Sequence, residues 1–184
     1  MLMFRALGKP IALGLLAVLA AVAGAATSSL VPGDTAPDFE LASTDGKTYR
    51  LSEVLAGLEE GGGVVLAWYP RAFTSGCTLE CKSFAEDGDM ISAYKVRYFM
   101  ASVDPLDENK RFAKEMNAEF PLLSDPDKSV AKAYGVLHQD RFAFRVNFYL
   151  DADGKILAID RNVNPASAAP DIAARLAELG FEQR

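Results

Sequence analysis

Trp68-Tyr69-Pro70-Arg71-Ala72-Phe73-Thr74-Ser75-Gly76-Cys77-Thr78-Leu79-Glu80-Cys81 is the stretch on which the fold turns. Just upstream, Val64-Val65-Leu66-Ala67 is an unbroken apolar run, the pattern of a buried strand. Downstream the period changes. Cys77, Cys81, Phe84, Gly88 and Ile91 recur at steps of four, three, four and three, which is one face of a helix. Cys77 therefore stands where a strand, after a short loop, opens into a helix. Free N–H groups and the positive end of the helix dipole favour an anion there, and a thiol so placed is drawn toward its thiolate. Both cysteines of the chain lie in this stretch.

Upstream of it, Phe39 and Leu41 alternate with acids, and Thr44-Asp45-Gly46-Lys47 supplies a hairpin turn before Tyr49 and Leu51. Ser52 is the expected cap of a short helix through Glu53, Val54 and Leu55. Gly61-Gly62-Gly63 reads as a loop, since it precedes a strand and lacks the Lys-Ser/Thr of a phosphate-binding loop. Downstream, Val96 to Val103 predicts a second strand. Asp104-Pro105-Leu106-Asp107 starts a helix carrying Phe112, Ala113 and Met116. Phe120 to Asp125 is a short strand with its turn, and Asp127 opens a helix that Gly135 ends. Arg145 to Leu150 predicts a strand, Asp151-Ala152-Asp153-Gly154 a turn, and Lys155 to Ile159 the hairpin partner. After Pro170 comes a last amphipathic helix with Ile172, Leu176 and Leu179. This alternation predicts an α/β class with a central sheet and helices on both faces.

A chain of 184 residues, half of them hydrophobic, suits one well-buried domain. Its net charge of −6 argues against nucleic acid or anionic membrane surfaces as partners. The N-terminus differs from the rest. Arg5 and Lys9 with no acid are followed by an apolar run from Ile11 to Gly24, then the small-x-small site Ala23-Gly24-Ala25. Residues 1–25 are the expected secretory signal peptide, 26–32 a linker and 33–184 the folded domain. The run is short for a membrane span, although an uncleaved anchor is the competing reading. Cleavage leaves a more acidic domain, exported to a compartment such as the periplasm, with no stable membrane association.

In an oxidising compartment a cysteine pair is usually a structural staple. Cys77 and Cys81 make an awkward one. They close a very small loop, which constrains the unfolded chain little. On a regular helix their Cα atoms stand about 6 Å apart, and the Cβ atoms are too far apart for a relaxed bridge. A redox or metal device is the better reading.

The order of elements, with Pro70-x-x-x-Thr74-x-x-Cys77 after the central strand, resembles the peroxiredoxins, thiol peroxidases of thioredoxin-like fold. The likeness runs from Gly33-Asp34-Thr35-Ala36-Pro37-Asp38-Phe39 to the last helix. It is nearest the Q-type, or bacterioferritin-comigratory, branch, through Tyr69-Pro70, Thr74-Ser75-Gly76-Cys77-Thr78 and Phe148-Tyr149-Leu150-Asp151-Ala152-Asp153-Gly154-Lys155. The resemblance implies a central mixed β-sheet flanked by helices, an N-terminal β-hairpin, and no cofactor or metal. It implies that Cys77 is the peroxidatic nucleophile, that Thr74 orients thiolate and peroxide, and that Pro70 walls the pocket. Amides around Gly76 and Cys77 would stabilise the departing oxygen. Register on Asp151 to Gly154 makes Arg145 the required cation, with Arg141 as rival. Cys81 would be the resolving thiol, although that branch commonly places it five residues on and here the step is four. Its other reading is a small buried hydrophobe on the Phe84 and Ile91 stripe. The implied partners are a peroxide substrate and a thioredoxin-like or other dithiol reductant, with the protein a monomer or weak dimer.

One alternative comes from another class. Exported thioredoxin-fold proteins similar to the Sco copper chaperones carry a Cys-x-x-x-Cys pair and a distant histidine, a donor set that suits copper. Cys77, Cys81 and the single histidine, His138, have that composition. Against it, Lys82 follows Cys81 where that motif has proline, and Arg145 occupies the strand position of its histidine. A disulfide oxidoreductase ranks lower, because the Cys-x-x-Cys spacing is absent.

Overall fold

The computed structural model describes residues 29–184. The expected signal peptide and the first residues of the linker lie outside them. Among the described residues no helix is long and apolar enough to cross a membrane.

The chain opens with the expected hairpin, β1 (Glu40–Ser43) and β2 (Thr48–Arg50), followed by α1 (Leu51–Ala56). Then come β3 (Gly63–Trp68), α2 (Ser75–Ser92), β4 (Val96–Ser102), α3 (Leu106–Met116), β5 (Leu122–Ser124) and α4 (Ser129–Ala133). A small hairpin, β6 (Leu137–His138) and β7 (Phe142–Ala143), precedes β8 (Val146–Asp151) and β9 (Ile156–Asp160). A 3-10 turn at Pro165–Ser167 leads into α5 (Ala168–Glu178). One seven-stranded mixed sheet has the order β2-β1-β5-β4-β3-β8-β9. The β3–β4 and β4–β5 pairs, joined through α2 and α3, are parallel, while β8 runs antiparallel to β3.

Every residue of β3 is buried, which is why it reads as a continuous apolar run. Its alternate side chains serve two cores. Val65 and Ala67 pack with Cys77, Cys81, Phe84, Phe112 and Leu176, on the face covered by α2, α3 and α5. Val64, Leu66 and Trp68 pack with Leu51, Val130 and Phe148, on the face of α1 and α4. Two glycines allow close approaches: a Cβ on Gly63 would stand 2.3 Å from the Phe181 ring, and one on Gly88 2.9 Å from the Tyr98 hydroxyl. The Ser83 hydroxyl accepts from the Ala169 N–H at 3.0 Å and so fastens the start of α5 to α2.

Several local expectations are corrected. Ser52 does not cap α1, which starts one residue earlier; the Asp38 carboxylate, from another segment, accepts from both the Ser52 N–H and its hydroxyl at 2.9 Å. Asp127 does not open α4 alone, because buried Asp125 takes the Ala131 N–H at 2.7 Å. His138 lies on β6. The last helix begins at Ala168, with Pro170 inside its first turn, where a missing N–H costs nothing.

Candidate active site

The site forms where β3 ends and α2 begins. Trp68 pairs with Val146, so Arg145, one residue ahead of β8, falls beyond the end of β3, at the level of the α2 N-terminus. Thr74 is extended (φ −79°, ψ 151°) and its carbonyl accepts from the Thr78 N–H at 2.8 Å. That makes Cys77 the third residue of α2, with its own N–H and that of Gly76 among those lacking an intrahelical partner. The Cys77 side chain is fully buried.

Arg145 reaches it. Its Nη2 donates to Cys77 Sγ at 3.4 Å, and its Nη1 forms an ion pair with Glu80. Gly76 makes room, since a Cβ there would stand 3.0 Å from Arg145 Nη2. Arg141 is exposed, makes no ion pair among the described residues, and lines a neighbouring cleft instead. Glu80, which the sequence reading passed over, is fully buried, and its second carboxylate oxygen has no partner. Its signal was available: three residues after Cys77, an acid sits on the helical face of Cys77 and Phe84, and a buried acid implies a cation.

The loop is held from behind. The Ala72 N–H donates to buried Asp104 at 2.8 Å, and the Asp104 N–H donates to the Ser102 hydroxyl. Ser102 meets the Asn109 amide, and Asn109 Oδ1 accepts from the Tyr69 hydroxyl at 2.7 Å. Burial pushes the Tyr69 phenol far above its ordinary range, so it stays a neutral donor. On the outer side Phe73 adopts φ 63°, a left-handed conformation that costs a bulky residue roughly 1–2 kcal/mol. Its ring meets Phe112 edge-on at 5.2 Å, with the Arg111 guanidinium 6.0 Å from its centroid.

Thr74 and Pro70 face a cleft of 530 Å³. The Thr74 hydroxyl donates to the Arg71 carbonyl at 2.9 Å, which leaves its lone pairs free to accept and requires a rotation before it can donate elsewhere. Cys81 is buried one turn beyond Cys77 among the core side chains, and α2 runs unbroken through both free thiols. Burial first, then the nearby Cys77 charge, pushes the Cys81 thiol up to about 12. His138 packs between the rings of Phe142 and Phe144, at 5.0 and 4.7 Å. Among the described residues no three His, Cys, Asp or Glu side chains are gathered as a metal site, so the copper alternative's Cys77, Cys81 and His138 do not come together.

Known proteins resemble this chain in sequence and in fold. Residues 32–159 match the AhpC/TSA family. Over 134 residues the chain is 33% identical to Peroxiredoxin Bcp of Escherichia coli strain K12, covering 69% of this chain and 83% of that protein. The crystal structure of Peroxidoxin BcpB from Mycobacterium tuberculosis superposes with a TM-score of 0.70 at 31% identity, covering 80% of this chain and 96% of that one. The bacterioferritin comigratory protein of Xanthomonas campestris shares the fold, with a TM-score of 0.67 at 22% identity over 76% of this chain and 90% of that one.

Proposed function

The chain belongs to the AhpC/TSA family, on its Bcp or Q-type peroxiredoxin branch, and is a thiol peroxidase of thioredoxin-like fold; from that premise we propose that it reduces hydroperoxides through Cys77, resolves the product through Cys81 and is recycled by an external dithiol. The observation that carries this reading is the Arg145 guanidinium 3.4 Å from the Cys77 sulfur, in the first turn of α2. The guanidinium and the positive end of the α2 dipole both lie against the sulfur, where negative charge moves during the reaction.

The Cys77 thiolate attacks one peroxide oxygen and the O–O bond breaks. Sulfur keeps that oxygen as sulfenic acid, and the other oxygen takes a proton and leaves as water or an alcohol. Arg145 and the Gly76 and Cys77 amides stabilise the negative charge that moves onto the leaving oxygen. Pro70 offers no N–H to compete, and Thr74 orients the peroxide from the cleft side. The Cys81 thiol then attacks the sulfenic sulfur, forming a disulfide and releasing water. Two electrons from a dithiol restore both thiols. Buried and held protonated, Cys81 is a poor nucleophile while α2 is intact, so the first turns of α2 must unwind before it acts. The bridge then forms within one chain and needs no second copy.

Peroxide consumption by the domain with a generic dithiol, with and without copper, tests the reading; wild type turns over without copper and Cys77→Ser does not. Export completes the proposal. The protein recovered from the periplasm begins at Ala26, and intact mass checks it, a full-length chain in the membrane fraction showing an anchor instead.

A further inference from the structure

Resting on that peroxidase reading and going beyond it, we propose that Asp104, on the loop between β4 and α3, is a positioning residue for the peroxide reaction: its carboxylate holds the Ala72 N–H and thereby keeps Pro70 and Thr74 where the peroxide is taken up. The segment from Tyr69 to Thr74 has few holds of its own. Its ends are fixed, because the Tyr69 N–H donates to the Ala101 carbonyl at 2.9 Å and the Thr74 carbonyl opens α2. Between those ends, and among the described residues, one hydrogen bond ties its backbone to the rest of the protein, the 2.8 Å bond from Ala72 to Asp104. Pro70 has no N–H to offer. The Thr74 hydroxyl bonds inside the segment, to the Arg71 carbonyl. Directly after Ala72 comes Phe73, held at φ 63°. A left-handed phenylalanine persists only where its surroundings fix it. Releasing Ala72 lets Phe73 relax, and Thr74 is the residue that moves with it.

Asp104 is itself firmly held. Its N–H donates to the Ser102 hydroxyl at 3.2 Å, and its carbonyl accepts from the Ser124 hydroxyl at 2.7 Å. The Asn109 amide nitrogen donates to the Ser102 hydroxyl and to the Leu123 carbonyl, both at 3.2 Å, while its oxygen takes the Tyr69 hydroxyl. Tyr69, Ser102, Asp104, Asn109 and Ser124 are all buried. The mooring therefore rests on β4, β5 and α3 and, among the described residues, on no bond from α2. That separation matters in a cycle in which the first turns of α2 unwind. Cys77 leaves the site to meet Cys81, while Pro70 and Thr74 stay moored and receive the thiol again after reduction. What the bond asks of residue 104 is an acceptor oxygen. A buried N–H deprived of one is left without a partner, so the loop must move to find another.

The test uses the full protein in a Cys81→Ser background, where Cys77 is the only thiol. Stopped-flow mixing with hydrogen peroxide reads the reaction of Cys77, and alkylation by iodoacetamide reads the same sulfur without calling on Pro70 or Thr74. Misplacing a reacting group by about 1 Å can cost about 100-fold, so Asp104→Ala should slow the peroxide reaction by about 10- to 100-fold and should not slow alkylation. Asp104→Asn keeps an acceptor oxygen and should recover most of the rate. Val64→Ala, in the opposite core, should lower Tm and leave the peroxide rate alone, which separates positioning from stability. Hydrogen exchange on the wild type should find the Ala72 amide protected in both the reduced and the disulfide forms, with the first turns of α2 protected only in the reduced one. A folded Asp104→Ala that reacts with peroxide as fast as its Cys81→Ser parent overturns the proposal, as does an Asp104→Asn no faster than Asp104→Ala. Equal slowing of the peroxide reaction and of alkylation overturns it too, since the whole site would then have been lost. If Asp104→Ala does not fold, exchange decides: a wild-type Ala72 amide as fast as those of Arg71 and Phe73 overturns the tether, and a protected one sustains it. A wild-type Cys77 that does not react with peroxide removes the premise and the inference with it.

Discussion

Replacing Arg145 with methionine separates what this residue does for the reaction from what it does for the fold. The substitution keeps an unbranched, mostly apolar stem, shorter by the guanidinium end, and deletes the cation. Glu80 would then be left fully buried, with one carboxylate oxygen already lacking a partner and the other losing its only one. Stranding one member of a buried ion pair costs about 3–5 kcal/mol. Arg145 is 16% exposed, so some water reaches the pair and the lower end, about 3 kcal/mol, applies. That is a shift of about two powers of ten in the folding equilibrium, and a fall in Tm of roughly 6–12 °C for a domain of this size. Adding Glu80→Met removes the stranded charge, and the double variant should recover most of the loss. Peroxide reduction should not recover, because Cys77 still lacks the guanidinium at 3.4 Å. Urea unfolding gives the stabilities, and stopped-flow peroxide consumption gives the rates. A single variant within about 0.5 kcal/mol of wild type would refute the buried pair. A double variant that regains the wild-type rate would show that Arg145 serves only to neutralise Glu80.

Gly76→Ala sets a new Cβ 3.0 Å from Arg145 Nη2, so the guanidinium shifts by a few tenths of an ångström. Thermal melting should show stability unchanged or raised by up to about 1 kcal/mol from the better helix former, while peroxide reduction slows. Cys81→Ser should keep the rapid first reaction of Cys77 and lose the internal disulfide, since no third cysteine exists; mass spectrometry after excess peroxide should find Cys77 carried on to sulfinic acid. Wild type given one equivalent should run as a monomer without reductant, and a covalent dimer would point to resolution between chains. Asp125 is driven up from 3.8 to about 6 by burial, outweighing its bonds to the Val130 and Ala131 N–H groups. The folded state therefore holds this proton more tightly than the unfolded one. Its contribution is full below pH 4 and is lost as pH rises toward 6, an effect on the order of 2 kcal/mol. Urea midpoints of Asp125→Asn against wild type between pH 4 and 7 should show that slope removed.

The sequence alone determined the elements whose signal is local. A short apolar run rich in valine, closed by glycines before it and Pro70 after it, fits a strand buried on both faces, and the four-three stripe from Cys77 to Ile91 fits a helix packed along one side. Those two patterns, meeting at Pro70 to Cys77, set the α/β class, the central place of β3 and the position of Cys77 in the first turn of α2. Caps and pairings were different. Ser52 has the chemistry of a cap, yet Asp38 does that work from fourteen residues away, because the fold brings the β1 approach against the start of α1. The β6–β7 hairpin is two residues deep on each side, too short for any periodicity. Register on the Asp151 to Gly154 turn singled out Arg145, but only the antiparallel pairing of β8 with β3 carries its side chain to Cys77 and to Glu80. The spacing of Glu80 puts it on the buried Cys77 and Phe84 stripe, but the cation that answers it, Arg145, arrives only when β8 packs beside α2. Whether a charged side chain meets water or a partner depends on which faces the tertiary structure closes, and one-dimensional spacing does not contain that information.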